Sequence, residues 1–268
     1  MTNITMNREL IEKTKSLEEA VEILFGIKMN GRTLVLFQEG MGNGLAEEYD
    51  DLGRNFRSYA YGEVADDFVI KINPASDILS VGPQILDVGC GSGILDGEIM
   101  KRLSRPEIGM VGIDVSEDML ALARKNVHEN PHLTFRKESV YELSSLLGDI
   151  KYIVCRNALH RFRDVRKALH EMYSTINPGG KIYLRDLRRD ADWRTIVQRI
   201  GEPRWKSEKL VEDYIRAMAQ TLTTEELGTT LISLGIDNFK FTKGKYSYES
   251  KLKEFGNEVE YVCVIKKD

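Results

Sequence analysis

The sequence is poor in cysteine: Cys90, Cys155 and Cys263 are the whole complement among 268 residues. An odd count with no two close together argues against a disulfide framework or a zinc knuckle. It leaves these side chains as small buried hydrophobes. No grouping of His, Cys and carboxylates has metal-ligand spacing, so no metal is expected. No apolar run approaches the roughly 18 residues of a membrane span. Met1 to Lys15 is polar and mixed in charge, without the apolar core of a secretion signal. These absences predict a soluble cytoplasmic protein. Basic excess is missing too, since 38 Lys and Arg stand against 42 Asp and Glu for a net charge of -4. That balance excludes a general nucleic-acid coat. Repeats and low-complexity tracts are absent, and nothing speaks to oligomeric state.

What is present is enough apolar material, 42% of residues, to bury a core. The length fits one large domain with a small addition. Residues 1–80 read as a mainly helical N-terminal cap or lid, with Leu17, Ala20, Val21 and Leu24 at helical spacing. From 81 to 268 strands and helices alternate. Short apolar runs stand at Ile85–Val88, Met110–Ile113, Leu133–Phe135, Tyr152–Cys155 and Lys181–Leu184. Ser116, followed by Glu117 and Asp118, predicts a capped helix start. Val165, Ala168, Leu169, Met172 and Ile176 share one helical face, and Asn177-Pro178-Gly179-Gly180 reads as a type II turn. Residues 189–220 form a helical insertion, and Thr223 with Glu226 makes a capping box beyond it. Phe239 to Tyr248 and Glu260 to Ile265 read as antiparallel strands. The pattern predicts an α/β fold on a doubly wound, mostly parallel sheet, with ligands at the carboxyl ends of the strands.

The strongest motif follows the first strand: Asp87-Val88-Gly89-Cys90-Gly91-Ser92-Gly93. Glycines let the backbone turn tightly and approach a ligand. A dinucleotide fingerprint needs its third glycine where Ile94 stands, which argues against a nicotinamide cofactor. Asp87 favours a ligand bearing an ammonium group over a pyrophosphate. Asp114, ending the second strand, is placed to accept from ribose hydroxyls.

These motifs carry a family resemblance. LDVGCGSG (86–93), GIDVSEDML (112–120), YIVCRNALHRFRD (152–164), NPGGKIYLRD (177–186) and LTTEELGTTLISLGI (222–236) resemble a class I S-adenosylmethionine-dependent methyltransferase of the small-molecule type. The likeness covers roughly two-thirds of the chain, from about residue 84. It implies a Rossmann-like seven-stranded sheet of order 3-2-1-4-5-7-6 with strand seven antiparallel. It implies S-adenosyl-L-methionine as cofactor and S-adenosyl-L-homocysteine as product. Asp87, Gly89, Gly91 and Gly93 would then line the methionine end, Asp114 would hold the ribose, and Val115 and Met119 would flank the adenine. The family usually has Asp after the third strand; this chain has Glu138-Ser139-Val140, which leaves Ser139 for the adenine contact beside Val140. Arg156 and Asn157 stand where family members use backbone carbonyls to hold the cofactor's amino group.

Methyl transfer from a sulfonium is largely a matter of positioning, and a base is needed only for a nucleophile that keeps its proton. His160, just past the fourth strand, is the candidate base, with an orienting or capping role as its alternative. Residues 156–209 hold 14 Lys or Arg and 7 Asp or Glu. Arg185 and Arg188 in this block are the candidates for binding a small anionic acceptor, because arginine grips carboxylate and phosphate in a fork. Surface ion pairs with Asp164, Asp186, Asp190 and Asp192 are the alternative. Tyr49, Tyr59, Tyr61 and Trp193 are candidate walls of the acceptor site, or else packing residues. A nucleic-acid acceptor is disfavoured by the acidic overall charge. Two other readings keep the cofactor: an enzyme of non-methylating chemistry, and a non-catalytic regulatory or assembly protein.

Overall fold

The computed structural model describes residues 10–34, 41, 44–56, 58–73, 83–103, 107–127, 130–145, 149–201, 205, 207–242 and 259–268. Its frame is a seven-stranded sheet of order β3-β2-β1-β4-β5-β7-β6. The strands are β1 (Pro83–Val88), β2 (Gly109–Asp114), β3 (Leu133–Lys137), β4 (Tyr152–Arg156), β5 (Lys181–Leu187), β6 (Phe239–Thr242) and β7 (Glu260–Lys266). The first five are parallel, and β7 runs antiparallel to both β5 and β6. The expected topology therefore holds. Part of the expected Phe239–Tyr248 strand lies outside the described residues, as does Arg204 of the basic block.

Helices α1 (Leu17–Phe25), α2 (Leu45–Phe56) and α3 (Ser58–Ile72) come before the sheet. α4 (Ile94–Arg102), α5 (Glu117–Asn126) and α6 (Val165–Thr175) connect its strands. α7 (Trp193–Ile200) and α8 (Glu208–Gln220) fall in the expected insertion, and α9 (Thr224–Ser233) follows. Local chemistry explains their ends. Ser116 accepts from the Met119 amide and caps α5. Thr223 and Glu226 exchange both bonds of a capping box at α9. Gly179 has φ +75°, as the third residue of a type II turn requires, and the Gly180 amide donates to the Asn177 carbonyl at 2.9 Å.

The central strands are apolar on both faces because both are covered. One face packs Phe68 and Ile72 of α3 and Ile99 of α4 against Ile85, Met110, Val154 and Tyr183. The other packs Ala168, Leu169 and Met172 of α6 and Leu227 and Leu231 of α9 against Leu86, Val111, Ile153 and Leu184. A third cluster joins Leu17 and Val21 of α1 to Trp193 and Ile196 of α7 and Leu210, Tyr214 and Met218 of α8. α1, α7 and α8 thus share a core of their own beside the sheet. All three cysteines are buried and free. Among the described residues no helix is long and apolar enough to cross a membrane, and no cluster could hold a metal ion.

Candidate functional site

Strand order reverses between β1 and β4, so a crevice opens at their carboxyl ends. The structure has a cleft there of about 1320 Å³, counted to its open mouth. Its floor is the loop after β1. Gly89 has φ +78°, and a Cβ on it would stand 2.4 Å from the Ala158 Cβ, so only glycine lets the β1 and β4 loops meet. Gly91, at φ +55°, faces open space. Gly93 does not line the cleft; it caps α4 beside Ala123 and Phe135.

Asp87 lines the cleft, and its Oδ1 has no hydrogen-bond partner among the described residues. Burial, together with the neighbouring Asp96 and Asp114, holds its carboxyl well above the ordinary range. Burial also pushes Asp96 up to about 7. A pair of buried carboxyls with an unfilled acceptor site is suited to a cation. Asp114 accepts from the Gly91 amide at 3.0 Å and the Ser116 amide at 2.9 Å, which fixes its carboxylate across the two loops. Val115, Met119, Ser139 and Val140 line the same end of the cleft. Ser139 Oγ accepts from the Tyr141 amide at 3.3 Å, which leaves its own O–H to donate. Asn157 also lines the cleft at φ +51°, with a buried Oδ1 that lacks a partner among the described residues. A non-glycine residue held in the left-handed region beside a cleft marks a site where strain is tolerated for position. An open glycine cradle, an unfilled Asp87 oxygen and a fixed Asp114 together fit a nucleoside ligand with an ammonium group.

His160 is 4% exposed and lines the cleft. Its Nδ1 lies 2.7 Å from Asp186 Oδ1, and its amide donates to Asp186 Oδ2 at 3.2 Å. A carboxylate accepts only, so the proton sits on Nδ1 and Nε2 carries a free lone pair.

Several expected acceptor residues lie elsewhere. Arg185 is 1% exposed, outside the cleft lining, and its Nε donates to Glu260 at 2.8 Å. A guanidinium buried in the sheet and already paired cannot grip an acceptor. Arg188 pairs with Asp190 at 2.9 Å, also outside the lining. Trp193 takes the packing role: its indole N–H donates to the Thr14 carbonyl at 3.0 Å, which ties α7 to the N-terminal segment. Tyr49 and Tyr61 do line the cleft. Tyr59 belongs to α3, with its side chain outside the described residues.

The residues missed are the partners of those found. Trp205, Asp213 and Tyr214, from the insertion, line the cleft, beside Arg199 of the expected basic block. Arg161 pairs with Asp213 and so joins the β4 loop to α8. Glu260 takes bonds or charge from Arg185, Arg199 and Arg156. Burial alone would raise its carboxyl, but these cations outweigh burial and hold it at about 2.

Residues 85–180 match the family described as a methyltransferase domain. A stretch of 112 residues is 27% identical to the ubiquinone biosynthesis O-methyltransferase of Erwinia tasmaniensis, covering 41% of this chain and 44% of that one. A stretch of 100 residues is 33% identical to malonyl-[acyl-carrier protein] O-methyltransferase 1 of Ilyobacter polytropus, covering 37% and 35%. The chain spans less than half the length of these curated relatives. Over 98% of its length it superposes on the whole plantazolicin methyltransferase BpumL, solved with S-adenosylhomocysteine, at a TM-score of 0.64 and 18% identity. At that identity the likeness speaks for the fold.

Proposed function

We propose that this chain, which belongs to the class I S-adenosylmethionine-dependent methyltransferases, moves a methyl group to a small anionic acceptor. The observation that carries the reading is the joint presence, at one sheet switch point, of the glycine cradle, Asp87 and Asp114. When bound, S-adenosylmethionine supplies a methyl group already activated on a cationic sulfur. Asp87 would take its ammonium and Asp114 its ribose hydroxyls. Val115, Met119, Ser139 and Val140 would hold the adenine, and the Arg156 and Asn157 carbonyls the amino group. The protein's own task is to place the acceptor in line and keep water out. α2 and α3 of the cap contribute Tyr49 and Tyr61, and the insertion contributes Trp205 and Tyr214, to the walls that do this. His160 would take the acceptor's proton on Nε2 while Asp186 holds the ring's other N–H.

Thermal denaturation tests the reading. S-adenosylhomocysteine at about 100 times its Kd adds about 2.7 kcal/mol, a rise of roughly 5 to 11 °C in a domain of this size. NAD is expected to give no rise, and Asp114→Ala to lose the response to S-adenosylhomocysteine. Stabilisation by NAD alone would defeat the reading.

A further inference from the structure

We propose that the acceptor is a planar molecule bearing a carboxylate, and that the Arg156 side chain, over the Tyr61 ring, selects it together with the Tyr214 hydroxyl. The proposal rests on the methyltransferase reading and names its substrate class.

Arg156 ends β4, is 8% exposed and lines the cleft. Its guanidinium lies over the Tyr61 ring, 4.5 Å from the centroid. Its Nε has no hydrogen-bond partner among the described residues. Glu260, which Arg185 bonds at 2.8 Å and Arg199 approaches at 3.7 Å, adds its charge to the field at Arg156. Burial alone would disfavour the charge, but Tyr61, Glu260 and Tyr49 offset it and hold the guanidinium above the ordinary arginine range, while its Nε stays unfilled; an oxyanion in the cleft would fill that position with charge-assisted bonds. The Tyr214 hydroxyl, on a side chain that lines the cleft from α8, also lacks a partner. Its ring packs on Trp205, with centroids 4.9 Å apart. Flat walls at Tyr61, Trp205 and Tyr214 suit a flat ligand.

The carboxylates around the cleft agree with this sign. Asp87 and Asp114 belong to the cofactor end, Glu138 stands beside Ser139 at the purine end, and Asp213 is neutralised by Arg161. The half bounded by the insertion is therefore the cationic one.

The cofactor's own amino-acid group also carries a carboxylate, so the experiment fills that source first. The full chain is saturated with S-adenosylhomocysteine and titrated calorimetrically with benzoate and with benzamide, its neutral isostere. Benzoate is expected to bind, and benzamide to bind at least about tenfold more weakly, which is about 1.4 kcal/mol. Arg156→Gln should weaken benzoate by at least about tenfold while S-adenosylhomocysteine affinity moves by less than about threefold. Tyr214→Phe, which removes one hydroxyl and leaves the buried charge intact, should weaken benzoate by about threefold or more. It carries the test if Arg156→Gln does not fold. Three results overturn the proposal. In one, Arg156→Gln loses S-adenosylhomocysteine and keeps benzoate, which assigns the arginine to the cofactor's carboxylate. In another, benzoate and benzamide bind alike, or neither binds. In the third, Tyr214→Phe binds benzoate as the parent does. Failure of the parent protein to bind S-adenosylhomocysteine at all, before any acceptor is added, instead removes the methyltransferase reading.

Discussion

Asp186 accepts three hydrogen bonds, from the His160 ring, the His160 amide and the Leu187 amide. It thereby fixes both the position and the tautomer of a histidine that faces the cleft. His160→Ala is expected to lower kcat by about 10²- to 10⁴-fold, with S-adenosylhomocysteine affinity unchanged. Asp186→Asn should cut kcat in the same direction, because an amide oxygen holds the N–H without stabilising the imidazolium. An unaltered kcat in His160→Ala would remove the ring from proton transfer. His160 was legible because it sits in a motif directly after a strand. Asp186 was not legible as its partner: the two are 26 residues apart and meet only because β4 and β5 lie side by side. Arg185 misled for a related reason. Its place after an apolar run read as a loop, whereas β5 runs on to Leu187 and carries the arginine into the sheet, where Glu260 waits 75 residues away.

The strands showed in the sequence as apolar runs, and the structure extends the first five and β7 by one to three residues. The capped starts of α5 and α9 and the turn at Gly179 were equally clear, since each is decided by side chains within four residues. The inner surface of the insertion was not clear. Trp193 and Trp205 read alike in sequence, yet Trp193 bonds Thr14 on the far side of α7 while Trp205 faces the cleft. Which tryptophan points inward depends on how α7 and α8 rest on α1. Trp193→Phe tests that docking. Losing the indole N–H bond to Thr14 should cost about 1 kcal/mol of stability. It should raise the acceptor KM while leaving S-adenosylhomocysteine affinity intact. Equal losses in both would mean that the insertion supports the cofactor end as well.

Buried ionisable groups shape how the folded chain responds to pH. The Asp87–Asp96 pair sits above the ordinary carboxylate range, so the folded state holds a proton that the unfolded chain releases near pH 4. Stability without ligand is then expected to fall as pH rises from about 4 towards about 7. Asp96→Asn should flatten that slope in melting curves across this range, and an unchanged slope would remove the pair as its source. Glu260 works in the opposite sense. Its carboxyl is held at about 2, so the stability it contributes is present above the unfolded value near 4.5 and is lost as pH falls through 2.

The cleft also carries both signs in its lining, with Asp87 on β1 and Asp114 on β2 against Arg199 on α7. Between them is a built-in field across a space walled by low-dielectric rings. A zwitterion entering that field has one orientation of low energy, so its heading is chosen before any contact forms. Added salt weakens this alignment near the open mouth more than deep inside, where screening ions do not follow.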